Sequence, residues 1–106
     1  AVAQTLGAGF VPLRKKGKLP CKTAVVHYDL EYGQDSIEVH HDAISPGARV
    51  LMLDDLLATG GTIAAACELV EALEAHIVGL SFLIELTGLA GRGKLTSHGI
   101  HSVIQY

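Results

Sequence analysis

Four consecutive apolar residues, Val50, Leu51, Met52 and Leu53, break the in–out alternation of a half-exposed strand and predict one buried on both faces, spanning Arg49 to Asp54. Asp54 and Asp55 follow, and Gly60 and Gly61 then supply backbone freedom ahead of a new period. Ile63, Ala66, Cys67, Val70, Leu73 and Ile77 recur at helical spacing, with Glu68, Glu71 and Ala75 on the more exposed side, so one face of this helix is expected to cover a sheet. Val78 to Ile84 is another strongly apolar strand. The stretch from about 49 to 84 therefore reads as a βαβ unit with a right-handed crossover.

The flanks carry weaker patterns. Gly7 is placed to end an incoming helix, Gly9 to Leu13 reads as a short strand, and Arg14 to Leu19 as a polar turn. Lys22 to Tyr28 and Ser36 to His41 favour β structure, the second with Ile37 and Val39 alternating cleanly with polar neighbours. The segment Asp29 to Asp35 between them suggests a projecting, mobile hairpin over about 22–41. Ser45-Pro46-Gly47 marks a turn, Thr87 to Lys94 a loop with a short helical turn, and Ser102 to Tyr106 a last strand. The fold class is α/β, with a central, largely parallel sheet, flanking helices and a projecting β-hairpin. Parallel strands need cover on both faces, yet only one long helix is evident. A segment preceding Ala1, rather than another chain, is the favoured second layer, and the isolated 106-residue chain is expected to fold poorly.

Composition narrows the function classes. With 49% apolar and 18% charged residues, the chain is ordinary folded material for one domain or part of one. No apolar run is long enough to cross a bilayer, and the first residues lack a basic leader, so a soluble cytoplasmic protein without membrane partners is expected. A formal charge of -3 disfavours nucleic acid as a main partner despite the basic cluster Arg14, Lys15, Lys16, Lys18 and Lys22, which taken alone is a solvated surface. Cys21 and Cys67 have no metal-ligand spacing, and Cys67 falls on the apolar helix face as a structural thiol. His27, His40, His41, His76, His98 and His101 form no convincing metal set and are read as packing or surface residues.

The chemistry concentrates after the first buried strand. The glycines match neither the Gly-x-x-x-x-Gly-Lys-Ser/Thr loop nor the dinucleotide fingerprint. Ala58 to Thr62 can nevertheless wrap a phosphate with consecutive N–H groups, with the Thr59 and Thr62 hydroxyls as further donors and the helix start favouring negative charge. Asp54 and Asp55 would repel a bare phosphate but can accept bonds from sugar hydroxyls or bias a nearby Mg2+. The plainer alternative is a tight strand-to-helix connection with two exposed carboxylates at its edge.

An apolar strand, paired acids and then Ala-Thr-Gly-Gly-Thr resembles the signature of the type I phosphoribosyltransferases. Together with Arg14-Lys-Lys-Gly-Lys-Leu-Pro20, Leu30-Glu-Tyr-Gly33 and Glu85-Leu-Thr-Gly-Leu-Ala-Gly-Arg92, it resembles in particular the adenine phosphoribosyltransferases. The match in order and spacing covers nearly the whole chain, as the larger, C-terminal portion of such a domain. The resemblance implies transfer of a 5-phosphoribosyl group from phosphoribosyl pyrophosphate to adenine, giving AMP and pyrophosphate with Mg2+ assistance in purine salvage, by a homodimer. Mg2+ would be bound mainly through the substrate.

Carried over residue by residue, the resemblance implies that Asp54 and Asp55 hold the ribose 2′ and 3′ hydroxyls while Ala58, Thr59, Gly60, Gly61 and Thr62 enclose the 5′-phosphate. Lys18 and Arg14 are the candidate pyrophosphate contacts, Arg14 from its own subunit or across a dimer interface, with Lys15 and Lys16 as steering charges. Glu31 and Tyr32 stand at the hairpin tip as candidate catalytic residues. Glu31 would assist proton movement on adenine or stabilise the developing ribosyl cation, and Tyr32 would help close or orient the loop. Glu85, Thr87 and Leu89 fit either a ligand-adjacent segment or a polar strand end that supports the fold. The family's base-binding hood and its Arg-Gly loop would precede Ala1. A related enzyme using another purine, a noncatalytic regulatory protein that binds a phosphoribosyl ligand, and a structural assembly partner are the competing functions.

Overall fold

The computed structural model describes residues 1–15, 23–30, 33–40 and 42–106. In chain order the elements are α1 (Val2–Leu6), β1 (Arg14–Lys15), β2 (Thr23–Leu30), β3 (Gly33–His40), β4 (Arg49–Leu57), α2 (Gly61–Ala72), β5 (His76–Glu85), the 3-10 turns Thr87–Leu89 and Gly91–Lys94, and β6 (Ile100–Gln105). The described strands form two three-stranded sheets, β1-β3-β2 and β4-β5-β6. The second is parallel throughout, and α2 connects its first two strands as expected.

Helix α2 lies between these sheets, packing on β2 and β3 as well as on β4 and β5. That position explains why its buried residues, Ile63, Ala65, Ala66, Cys67, Leu69 and Val70, exceed the single stripe read from the periodicity. A helix covered on two sides buries a wider arc than one lying on a single sheet. Met52, Leu80 and Phe82 meet it from the parallel sheet, and Ile37 and Val39 join the same core from β3. Each large apolar side chain removed from water contributes about 1.5–3 kcal/mol.

Two sequence expectations fail at the helix end. Ile77 belongs to β5 rather than α2, and Ala75 is buried rather than exposed. The helix stops at Ala72 because Glu74 takes a left-handed conformation, φ 63°, after which the chain turns into β5. The periodic match at Ile77 therefore continued past the helix.

At the N-terminal end, Gly7 does end a helix. It adopts φ 64°, with its N–H donating to Gln4 O and that of Ala8 to Ala3 O. Gly9 to Leu13 forms no strand, however. Pairing begins at Arg14 and Lys15, opposite Glu38 and Ile37, within the stretch expected to be a polar turn. Pro12 offers no N–H to a ladder, so extended pairing gains little before it.

The hairpin is present and longer in its strands than expected. Its register runs from Thr23 opposite His40 to Leu30 opposite Gly33, so residues 29–30 and 33–35, whose composition favours a connection, are paired strand. Backbone pairing along eight rungs outweighs the poor strand preference of Asp29, Gly33 and Asp35. Ser36 and Glu38 are buried together with Ile37 and Val39, because β3 is the central strand of its sheet. Among the described residues no buried side-chain nitrogen or oxygen lacks a hydrogen-bond partner.

Ser45 to Ala48 forms a turn closed by Ala48 N–H donating to Ser45 O at 3.0 Å, with Gly47 at φ 82° after Pro46. Beyond it, β4 and β5 present Leu51, Leu53 and Leu83 to the face away from α2, with Val103 of β6 beside them; these are 40, 48, 53 and 64% exposed. The central sheet is thus covered on one face only among the described residues.

Candidate functional site

Strand β4 continues three residues beyond its predicted end, carrying Asp54 and Asp55 in extended backbone before the chain turns at Ala58 to Gly60 and enters α2. Both aspartates are exposed, and their adjacent carboxyls interact with each other. The Asp55 N–H donates to Asp54 Oδ1 at 2.9 Å. Partial burial pushes the Asp54 carboxyl above its ordinary value; the N–H bond opposes this rise, and the adjoining Asp55 carboxyl adds to it.

Gly60 caps α2 at φ 86°, a conformation that side-chain-bearing residues enter at a cost. The helix ladder begins with Ala64 N–H donating to Gly60 O at 2.9 Å, so the first-turn N–H groups lie ahead of it at the helix's positive end. Thr59 and Thr62 are exposed there. The predicted set Asp54, Asp55, Ala58, Thr59, Gly60, Gly61 and Thr62 is therefore one continuous turn at the carboxyl end of a parallel strand. It offers hydroxyl acceptors upstream and anion donors downstream.

Of the remaining predicted substrate-binding and catalytic residues, only Arg14 is described. Arg14 is exposed on β1, in the hairpin sheet, and Lys18, Glu31 and Tyr32 lie outside the described residues, as does Lys16.

A second segment backs onto the turn, the one in which Glu85, Thr87 and Leu89 fit either a ligand-adjacent or a fold-supporting reading, and its contact through Gly91 has no counterpart in the sequence pattern. A Cβ added to Gly60 would come within 2.6 Å of the Gly91 carbonyl oxygen. One added to Gly91 would overlap the Ala58 carbonyl oxygen and lie 2.9 Å from Leu57 Cδ1. The two turns touch backbone to backbone, and only glycine permits it. Leu86 N–H donates to Leu57 O at 2.9 Å just below this contact.

Glu85 anchors the second turn. Its buried carboxylate accepts from Arg92 Nε at 2.7 Å and Nη2 at 2.8 Å, from Ser102 Oγ, and from Gln105 Nε2 at 3.3 Å. These donors, Arg92 foremost, hold its carboxyl down at about 2. Thr87 bonds the chain end instead, its Oγ1 and N–H both donating to Tyr106 O, and Leu89 is half exposed. Of the two readings offered for Glu85, this network supports the structural one. The only sequence signal for it was the Glu85 to Arg92 spacing, which carries no periodicity.

Cys67 is buried, and burial, followed by nearby Glu71, pushes its thiol up to about 11, as suits a packing residue. It borders an open cleft of about 270 Å³ lined by Glu68, Glu71, Lys94, Leu95 and His98, where His98 Nε2 stands 3.5 Å from Glu71 Oε1. His101 Nδ1 faces Ser81 Oγ at 3.4 Å. No group of three metal-ligating side chains occurs among the described residues, and no described helix is long and apolar enough to cross a membrane.

The family model described as the phosphoribosyl transferase domain matches residues 1–98. The adenine phosphoribosyltransferase of Clostridium tetani is 57% identical over 105 residues, a match covering 99% of this chain and 61% of that protein. Among solved structures, the adenine phosphoribosyltransferase from Rhodothermus marinus superposes with a TM-score of 0.96 at 56% identity, covering 99% of this chain and 60% of the other. The Saccharomyces cerevisiae enzyme, complexed with an imino-altritol bisphosphate and adenine, gives 0.88 at 47% identity, covering 93% and 56%. The chain thus spans about 61% of the length of the C. tetani relative.

Proposed function

This chain belongs to the phosphoribosyltransferase family, and we propose that the complete protein is an adenine phosphoribosyltransferase, converting adenine and phosphoribosyl pyrophosphate to AMP and pyrophosphate. The observation that carries this reading is the glycine-locked turn Ala58–Thr62, set at a helix start directly after two exposed carboxylates. The names of the C. tetani and R. marinus relatives, and the adenine bound to the yeast protein, support the choice of base.

In this reading the turn's N–H groups and the Thr59 and Thr62 hydroxyls hold the donor's 5′-phosphate, while Asp54 and Asp55 accept from the ribose 2′ and 3′ hydroxyls. Fixing both ends of the sugar orients C1′ for displacement of pyrophosphate by a ring nitrogen of adenine, an entropic contribution independent of any acid or base. The bond to pyrophosphate breaks as the bond to nitrogen forms, and the ring nitrogen's proton leaves. Arg14 and Lys18 offset the charge gathering on the departing pyrophosphate. Glu31 takes up that proton or stabilises positive charge at C1′, and Tyr32 helps close the hairpin tip over the donor, excluding water.

The exposed carboxylate oxygens of Asp54 and Asp55 suit a hard cation, but two adjacent carboxylates do not make a closed cage. Mg2+, which retains several waters and favours phosphate oxygens, fits here as an ion held mainly by the donor, where it would neutralise the pyrophosphate. A homodimeric, cytoplasmic enzyme of purine salvage completes the proposal.

The direct test incubates the complete protein with Mg2+, phosphoribosyl pyrophosphate and, in turn, adenine, hypoxanthine and guanine. Formation of AMP and pyrophosphate from adenine is expected. A preference for another base would reassign the substrate, and tight donor binding with no product from any base would leave a noncatalytic binding protein.

A further inference from the structure

The 3-10 turn that backs onto the phosphate turn brings a cation with it. Arg92 is tied to Glu85 by two hydrogen bonds and donates through Nη2 to Ser102 Oγ at 3.0 Å. Leu95 is buried, its N–H donating to Arg92 O at 3.0 Å. Lys94 lies between these two anchors. Its Nζ stands 3.9 Å from the position that a Cβ on Gly61 would take, and Thr59 Oγ1 lies 4.0 Å from the same position. Among the described residues, no ion pair joins Lys94 to a carboxylate.

We propose that Lys94 is a further substrate-binding residue, its ammonium pairing with the 5′-phosphate held over Thr59 and Gly61. This inference rests on the reading of that turn as the ribose-phosphate site. The electrostatic need is local. Asp54 and Asp55 place two carboxylates just upstream, and the turn from Ala58 to Thr62 contains no basic side chain, so its partial positive charges alone must offset both carboxylates and phosphate. A full positive charge delivered from a neighbouring turn corrects that balance without disturbing the backbone cradle. The Gly60–Gly91 contact is what allows the approach, since any side chain at either position would hold the two turns apart. The bonds from Arg92 to Glu85 fix the short turn on which Lys94 rides.

The test is calorimetric titration of the complete protein with ribose 5-phosphate, using wild type, Lys94→Gln and Lys94→Arg at low and high salt, with thermal unfolding of each unliganded protein alongside. Wild type is expected to bind. Lys94→Gln is expected to bind about tenfold more weakly, the size of one charge-assisted hydrogen bond, with a shallower salt dependence and an unchanged unliganded melting temperature. Lys94→Arg is expected to stay within about threefold of wild type, since it keeps the charge. Equal affinity and salt dependence in wild type and Lys94→Gln would overturn the role of Lys94 while leaving the ribose-phosphate site standing. A wild type that does not bind ribose 5-phosphate would overturn both.

Discussion

Gly60 and Gly91 meet without intervening side chains: a methyl group on Gly60 would lie 2.6 Å from the Gly91 carbonyl oxygen, and one on Gly91 would strike the Ala58 carbonyl. Gly60 carries the further constraint of φ 86°. Gly60→Ala should therefore cost about 2–4 kcal/mol, combining left-handed strain with overpacking, and should weaken ribose 5-phosphate binding. Gly91→Ala should act similarly through overpacking alone. Gly93, two residues on, has no atom within 4 Å of an added Cβ, so Gly93→Ala should stay within about 0.5 kcal/mol of wild type. Urea unfolding of the three variants in the complete protein checks this ordering.

The Glu85–Arg92 network gives the fold an acid sensitivity. Glu85 titrates near 2 in the folded protein, against an ordinary 4.5, so between those values the unfolded chain binds more protons. Its contribution is fully present above about pH 4.5 and is lost as pH falls towards 2. Asp54 acts in the opposite sense, because its raised value favours the folded state at low pH. Glu85→Gln should lower the urea midpoint at pH 7 and flatten the fall in stability below pH 4.5. An unchanged acid profile in this variant would count against the network as its source.

Glu74 ends α2 in a left-handed conformation, φ 63°, while its carbonyl accepts from Gly47 N–H at 2.8 Å. The backbone contact is needed and the side chain is not. Glycine enters this region without steric cost, and removing a negative charge from a helix C-terminus is itself favourable. Glu74→Gly should stabilise the complete protein by about 0.5–1 kcal/mol, a rise of roughly 1–4 °C in melting temperature by calorimetry.

Leu51, Leu53, Leu83 and Val103 form an apolar face on the central sheet with no cover among the described residues. The isolated 106-residue chain should bind a hydrophobic dye, self-associate in sedimentation and unfold over a broad transition. Leu53→Lys with Leu83→Lys should suppress that association. A dye-silent monomer with a sharp two-state transition would contradict the expectation of poor independent folding.

The apolar run at Val50, the helical spacing from Ile63 and the alternation around Ile37 are local properties. Backbone geometry translates each period directly into an element, so the βαβ unit, the hairpin and the turn from Asp54 to Thr62 could be read from residues alone. Where several segments converge, those rules failed. Ala65 and Leu69 are buried because α2 packs on two sheets, Ile77 passes from helix to strand because Glu74 breaks the period, and Ser36 and Glu38 are enclosed because β3 is central. The Gly60–Gly91 contact, the Arg92–Glu85 pair and the position of Lys94 depend on segments brought together only by the fold. By itself, the sequence determined which residues could form a phosphate-binding turn. Tertiary structure decided what stands against that turn, because close packing between distant segments has no period along the chain.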